Sequence, residues 1–182
     1  MPLTDSFTSK DMLRLVPGMT YRQLDYWCST RLLVPSKSPA KGSGTSREFG
    51  LPDIVAARVL IQLRGQGFSL QQLRKVTREL SRNRRKVVNP ISAHRLVVVP
   101  GDGKSDLAVA ITDEEGNHLQ SVLGSPGQTV VALAPISAEV QEAARTIALE
   151  RNADEFERRE AKKKADRERY HRAKANQQRA AR

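Results

Sequence analysis

The sequence predicts a mainly α-helical fold with a small β part. Short segments with helical spacing flank a turn at Pro17-Gly18, and two further helical patterns lie between residues 52 and 80. β-branched runs between residues 95 and 134 predict a small antiparallel β unit. After Ser137 helix-forming residues dominate the rest of the sequence, which predicts a long, basic C-terminal helix.

Residues 20–30 predict a short helix that carries its own cap. Thr20 is a favourable N-cap residue, and Gln23 stands three positions on, which is the spacing of a capping box. One side of the helix, predicted to pack inward, carries Tyr21, Leu24, Trp27 and Cys28. The remaining surface carries donors of the kinds that reach phosphates and base edges, namely Arg22, Gln23, Tyr26 and Ser29.

A second short helix is predicted immediately before this one. It starts near Thr8, with Asp11 in its first turn where a carboxylate suits the helix dipole, and it ends at the tight turn Pro17-Gly18. Helix, tight turn, helix is the helix-turn-helix arrangement, whose second helix enters the major groove of DNA. Residues 1–7 are expected to form a loose arm.

The stretch Leu33–Phe49 predicts a hairpin whose turn is Gly42-Ser43-Gly44. Lys37, Lys41 and Arg47 lie along it. Taken alone, this stretch is better explained by a mobile surface loop with ordinary lysines. Its position directly after a helix-turn-helix favours a wing, whose backbone amides and basic side chains lie along phosphates.

Two more helices are predicted to complete a small core. The first starts at Pro52 and is stopped by Gly65-Gln66-Gly67. The second starts at Ser69, where Gln72 completes another capping box. Its apolar stripe, interpreted as core, consists of Leu70, Leu73, Val76 and Leu80.

Four pieces of this region, in this order and spacing, resemble the DNA-binding domain of the MerR family of bacterial transcription regulators. They are QLDYW at Gln23–Trp27, LLVP at Leu32–Pro35, SREF at Ser46–Phe49 and PDIVAARVLIQLRGQGFSLQQL at Pro52–Leu73. The resemblance covers about Thr8 to Leu80, and the tryptophan after Asp-Tyr is similar to actinobacterial members. It implies a winged helix-turn-helix that binds double-stranded DNA as a homodimer and distorts promoter DNA.

The residues and the resemblance together predict a DNA-binding site on the second helix and the wing. The expected contact residues are Thr20, Tyr21, Arg22, Gln23, Tyr26, Lys37, Lys41, Ser43 and Arg47. Asp25 departs from the family, which usually carries arginine at that point. Its carboxylate repels phosphate, accepts from a cytosine amine, or pairs with Arg22, and these three possibilities stay open.

The predicted domain boundaries follow from composition and turn signals. Residues 8–81 form the DNA-binding domain, residues 82–90 a basic linker, residues 91–150 a small β-rich unit with a helix, and residues 151–182 a charged tail, helical or disordered. Many family members continue into a long helix that pairs as an antiparallel coiled coil. Pro90 and the β-branched run after it oppose such a helix here.

The β unit is predicted to contain four strands and one helix. The strands are Arg95–Val99, Leu107–Thr112, His118–Leu123 and Gln128–Ala134, with turns at 101–103, 114–117 and 125–127. The helix begins after Ser137, with an apolar stripe of Val140, Ala144, Ile147 and Ala148. This unit could dimerise, bind a small-molecule effector or contact another protein such as RNA polymerase.

Composition bounds the remaining possibilities. The net charge is +11, with basic excess in residues 1–86 and 151–182 and acidic excess between them, which suggests a polyanionic partner. No apolar run is long enough to span a membrane and no signal peptide is evident, so we expect a cytoplasmic, nucleoid-associated protein. The charged tail is interpreted as a solvated helix, and the alternative is non-specific phosphate affinity.

Catalytic and metal chemistry find little support in the sequence. The three histidines lie far apart and show no metal-ligand spacing with Cys28, the single cysteine, and no phosphate-binding glycine loop is present. We therefore expect no enzyme activity, no cofactor and no metal. Two other functions remain open: an excisionase-like or phage DNA-architectural factor, and a ligand-sensing or protein-interaction module acting through residues 91–150.

Overall fold

A computed structural model of the chain describes residues 6–38, 46–88, 94–100, 107–112 and 129–180. Helices and strands follow one another in the order β1 Phe7–Thr8, α1 Ser9–Leu15, α2 Tyr21–Ser29, β2 Glu48–Phe49, α3 Leu51–Gly65, α4 Leu70–Arg82, α5 Arg84–Val88, β3 Arg95–Pro100, β4 Leu107–Thr112, β5 Thr129–Ala132 and α6 Leu133–Ala180. The chain divides into two compact units, Met1–Ala144 and Arg145–Arg182.

Side-chain caps define where helices α1 and α4 begin. At α1 the Asp11 carboxylate accepts from the Thr8 amide at 2.7 Å, while the Asp11 amide donates to the Thr8 hydroxyl. At α4 Ser69 and Gln72 form the same reciprocal pair, as predicted. Each capping box satisfies amides that the first helical turn leaves unpaired, so the helix starts are set locally.

The turn between α1 and α2 depends on a glycine in the left-handed region. Gly18 has φ of +84°. This backbone conformation is unfavourable in free energy for any residue with a Cβ atom, and glycine has none. Val16 and Met19 on either side of the turn are buried, which anchors the turn to the core. The predicted helix-turn-helix arrangement is present between Ser9 and Ser29.

The N-terminal arm is ordered where it meets the end of the predicted hairpin. Phe7 pairs with Phe49 and Thr8 with Glu48 in an antiparallel two-stranded sheet, and Phe7 is buried. The prediction of a loose arm is wrong for Phe7, because burial of a phenylalanine side chain outweighs the entropy lost on ordering the chain. Ser38 forms an antiparallel bridge with Glu48, so the two ends of the predicted hairpin lie side by side.

One hydrophobic core joins helices α1 to α4. Every helix contributes fully buried side chains, and α3 is buried along most of its length because it packs against neighbours on several sides. The largest of these buried side chains are Met12, Leu15, Leu24, Ile54, Leu60, Leu63, Leu73 and Leu80, and Leu32 and Phe49 outside the helices are buried as well. Burying such side chains contributes about 1.5–3 kcal/mol each before entropy is counted.

The β strands form a three-stranded antiparallel sheet with β3 in the centre. Leu96 pairs with Ile111 of β4 on one side and with Val131 of β5 on the other. Leu96, Val97 and Val98 are all buried, which means that both faces of the central strand are covered. The predicted strand 118–123 and the three predicted turns lie outside the described residues.

Two boundaries of the predicted β unit need correction. The last strand ends at Ala132, and α6 begins at Leu133 rather than after Ser137. The Leu133 amide donates to the His94 carbonyl at 2.9 Å, which ties the start of α6 to the start of β3. Pro135 does not oppose the earlier start, because proline is tolerated in the first turn of a helix.

The sheet packs against the helices within the same compact unit. α4 lies against β4, and α5 occupies the segment predicted to be a basic linker, with Val87 buried. The Gln141 side chain donates to the Val88 carbonyl at 2.6 Å, and Arg58 pairs with Glu139 at 2.7 Å. The predicted boundaries at residues 82, 91 and 151 stay predictions.

The second unit is the continuation of α6. Its side chains are exposed from residue 152 to residue 169, and Phe156 is among the exposed large hydrophobic residues. Glu155 pairs with Arg159 at 3.5 Å, an acid-before-base pair four positions apart of the kind that stabilises a solvated helix. None of the described helices combines the length and the apolar character that crossing a bilayer requires.

Candidate nucleic-acid interface

Helix α2 separates a buried side from an exposed side. Leu24 and Trp27 are 0% and 3% exposed, whereas Tyr21 and Tyr26 are 61% and 49% exposed. The prediction that Tyr21 packs inward is therefore wrong, because it lies in the first helical turn beyond the reach of the core. Both tyrosine side chains are therefore accessible from outside the domain.

A polar stripe runs along the exposed side of α2. Arg22, Tyr26 and Thr30 follow one another at intervals of four residues, and Arg22 and Tyr26 are exposed. The Thr30 hydroxyl donates to the Tyr26 carbonyl at 2.7 Å, which closes the C-terminal end of the helix. Arginine and tyrosine side chains at this spacing provide donors for phosphate and base edges.

Gln23 has a structural task as well as a predicted contact role. Its side-chain oxygen accepts from the Thr20 amide at 2.9 Å and from the Thr20 hydroxyl at 3.1 Å. The Gln23 amide donates back to the Thr20 hydroxyl, so the predicted capping box is confirmed. Thr20 and Gln23 are thereby fixed at the N-terminus of α2, the end that contacts bases in helix-turn-helix proteins.

Asp25 and Arg47 form an ion pair between α2 and the returning strand of the predicted wing. Arg47 Nη2 lies 2.8 Å from Asp25 Oδ1, with side-chain exposures of 23% and 52%. The suggested pairing of Asp25 with Arg22 is wrong, since the carboxylate points to Arg47. This hydrogen bond raises the pKa of Arg47, so the guanidinium stays charged.

Cys28 lies partly buried beneath this ion pair. Burial raises the pKa of the thiol to about 11, with Arg47 opposing the shift and Asp25 and Asp53 adding to it. The protonated thiol is a poor nucleophile and a poor metal ligand at neutral pH. Its partial burial agrees with a packing role for Cys28.

The wing residues of the predicted site fall into two groups. Lys37 is exposed, and its amide donates to the Glu48 carbonyl at 3.2 Å at the base of the predicted hairpin. Arg47 precedes Glu48 on the returning side and reaches α2. Lys41 and Ser43 lie outside the described residues.

Asp53 joins the predicted wing to α3, a role that the sequence did not predict. Its buried carboxylate accepts from the Ser36 amide at 2.8 Å and the Gly50 amide at 2.9 Å, and Arg84 Nη2 lies 3.7 Å away. A carboxylate that accepts hydrogen bonds from two amides holds the segments at Ser36 and Gly50, on either side of the predicted hairpin, firmly together. The available signal was an acidic residue directly after Pro52, which indicates a favourable first helical turn and not a contact with Ser36.

A helix-turn-helix with a capped, outward-facing second helix belongs to the class of DNA-binding folds. Residues 9–80 match the family described as MerR HTH family regulatory protein. This region of the chain is therefore a MerR-type helix-turn-helix domain, as its motifs suggested.

The chain is also similar to three curated mycobacterial proteins. Two from Mycobacterium tuberculosis strains and one from Mycobacterium bovis, each named an uncharacterized HTH-type transcriptional regulator, are 44% identical to it over 59 residues. That stretch is 32% of this chain and 26% of each relative, so the similarity spans about a quarter of those proteins. The family and these relatives are described as regulators rather than enzymes, and they lend no support to an architectural or ligand-sensing function.

Proposed function

We propose that this protein is a sequence-specific DNA-binding transcription regulator of MerR type. The exposed stripe of Arg22 and Tyr26 on α2, within a domain that matches the family, carries this proposal. In the proposed complex α2 enters the major groove, whose edges distinguish all four base pairs. Thr20, Tyr21, Arg22, Gln23 and Tyr26 then face bases and the nearest phosphates.

The wing is proposed to lie along the neighbouring DNA backbone. Lys37, Lys41, Ser43 and Arg47 supply donors to phosphates in this arrangement, and Asp53 supports it by holding Ser36 and Gly50 together. A basic side chain beside a phosphate adds affinity that depends on salt and not on sequence. The wing therefore contributes binding strength, and α2 contributes base preference.

The remaining parts of the proposal concern the whole chain. Residues 8–81 are the proposed DNA-binding domain, 82–90 a basic linker, 91–150 a unit for dimerisation or effector binding, and 151–182 a charged tail. A homodimer would read two half-sites, as helix-turn-helix dimers do. RNA polymerase and a small-molecule effector are the other proposed partners, and the proposed place of action is the cytoplasmic nucleoid.

In-vitro selection from random duplex DNA tests the central claim. We expect full-length protein to enrich a defined motif, and an inverted repeat would indicate a symmetric dimer. The matched variant is Tyr26→Ala, which removes one of the exposed side chains proposed to face DNA. It should leave the domain folded, with its melting temperature close to that of the parent. Parent protein that enriches no motif, with only salt-sensitive bulk binding, would refute sequence-specific recognition by α2.

A further inference from the structure

The far end of α2 opens onto a cleft lined by arginines. The cleft has a volume of about 480 Å³ and lies between the end of α2 and the exposed side of α4. Four of its lining residues are arginines and two carry hydroxyl groups: Arg31, Arg74, Arg78, Arg82, Thr77 and Ser81. Among the residues that the structure describes, no acidic side chain lines this cleft.

One of the cleft arginines is fixed by a hydrogen bond, and none of the four is neutralised by a strong ion pair among the described residues. Arg74 Nη1 donates to the Thr30 carbonyl at 2.9 Å, which attaches α4 to the end of α2. Arg82 lies 3.6 Å from Glu79, but its side chain is 69% exposed and an exposed pair of this kind is weak. Within the described residues no ion pair involves Arg31 or Arg78.

The cleft lies at the end of the stripe proposed to read DNA. Arg22, Tyr26 and Thr30 share one side of α2, and Arg74 contacts the backbone of Thr30. The nine residues of α2 extend about 13 Å. The major groove is about 12 Å wide, so a helix that begins at one wall of the groove ends near the other.

We infer that the arginine cleft is a second phosphate-binding surface, which grips the DNA backbone on the wall of the groove opposite the N-terminus of α2. This inference rests on the proposed function and extends it to a surface outside the recognition helix and the wing. Guanidinium groups suit the site because their planar donors bind phosphate in a bidentate manner. Thr77 and Ser81 add neutral donors of the kind often found at phosphates.

Salt dependence of binding tests this assignment. The affinity of full-length protein is measured over a range of salt concentrations, on the selected duplex and on a random duplex. Arg78→Gln should make the slope of log affinity against log salt shallower by about 0.9, the value for one lost phosphate contact on duplex DNA. Affinity for both duplexes should fall by the same factor, because a phosphate contact carries no sequence information.

Two variants test whether the cleft binds phosphate through its own arginines or only through the positive charge of the whole protein. Arg78→Lys keeps the charge but loses the planar fork, so we expect the parent slope with reduced affinity. Arg158→Gln removes the same charge from an exposed position on α6 and should leave the slope unchanged. An equal effect of Arg78→Gln and Arg158→Gln would overturn the inference, since bulk charge would then explain both.

Three outcomes separate failure of the cleft assignment, failure of the proposed function, and binding of an acidic protein segment in the cleft. If the parent shows base preference and Arg78→Gln leaves the slope unchanged, the cleft assignment fails and the proposed function stands. If the parent shows no base preference, the proposed function fails. If Arg78→Gln abolishes binding of a poly-glutamate peptide and leaves DNA binding intact, the cleft takes an acidic protein segment and the DNA assignment is wrong.

Discussion

The carboxylate of Asp25 on α2 and the guanidinium of Arg47 on the returning strand of the predicted wing are joined by a 2.8 Å ion pair. The pair links the two elements proposed to contact DNA. It also places one negative charge beside Arg22 and Tyr26, where a phosphate or a base is expected. Partial exposure limits its contribution to stability to less than about 1 kcal/mol, so its main effect concerns binding.

Removing the positive or the negative charge of this pair should change DNA affinity in opposite directions. We expect Arg47→Gln to weaken binding to all duplexes and Asp25→Asn to strengthen binding to random duplex. The salt slope should shift by about 0.9 in each case, because each variant changes by one the charge that faces the neighbouring phosphates. The double variant should bind nearly as the parent does. Affinities measured over a salt series check this prediction, with thermal unfolding to confirm that each variant is folded.

Another outcome for Asp25→Asn would assign the carboxylate a different role. If the variant loses affinity for the selected duplex and keeps it for random duplex, Asp25 reads a base directly. A carboxylate accepts from the cytosine amine in the major groove, so the loss should then concern cytosine positions. That result would contradict the role assigned to Asp25, in which its carboxylate neutralises Arg47 and weakens binding to phosphates.

Gln23 offers a way to separate helix capping from base recognition. Gln23→Ala removes the side-chain oxygen that accepts from Thr20, and it should lower the free energy of unfolding by about 0.5–1 kcal/mol. Gln23→Glu keeps an acceptor in the capping box and should leave stability close to that of the parent. Thermal or denaturant unfolding measures both effects.

The same two variants test the contact role of Gln23. Gln23→Glu replaces an amide donor by a carboxylate, so we expect the selected motif to change although stability does not. The readout is in-vitro selection repeated with each variant. An unchanged motif for Gln23→Glu would mean that Gln23 acts only as a cap.

Gly18 and Gly65 form a matched pair for the turn between α1 and α2. Gly18 has φ of +84°, so Gly18→Ala should cost about 1–2 kcal/mol through backbone strain. Gly65 ends α3, and a Cβ atom there meets nothing within 4 Å. Gly65→Ala should therefore stabilise by about 0.4–1 kcal/mol, since alanine restricts the unfolded chain. Denaturant unfolding at equilibrium distinguishes the two, and equal effects would contradict the assigned strain.

Cys28 should react slowly in the folded protein. Burial raises its thiol pKa from 9.0 to about 11, so at pH 8 the reactive thiolate is roughly a hundredfold less abundant than in the unfolded chain. Alkylation in native buffer and in denaturant measures this ratio. A native rate equal to the denatured rate would contradict the protected position assigned to Cys28.

The same shift predicts a pH dependence of stability. A group whose folded pKa is raised contributes stability that is fully present below the unfolded pKa of 9.0, and that contribution is lost as pH rises towards about 11. Cys28→Ala removes this dependence and is the matched control. Unfolding measured between these two pH values should show a steeper decline for the parent than for the variant.

Local signals in the sequence determined most of the helical part. The capping pairs at Thr20 and Ser69 act between residues three positions apart, so they can be identified without knowledge of the fold. The turn at Gly18 and the inward packing of Leu24 and Trp27 follow from short-range spacing in the same way. The family motifs extend over the same residues, because this order of elements defines the domain.

Tertiary structure alone decided the contacts between distant residues. The sequence could not reveal that Asp25 meets Arg47, 22 positions away, or that Asp53 joins Ser36 to Gly50. The choice of partner for a charged side chain depends on which chain segments the core brings together. Periodicity and spacing hold no information about that choice, since many cations along the chain could neutralise one carboxylate equally well.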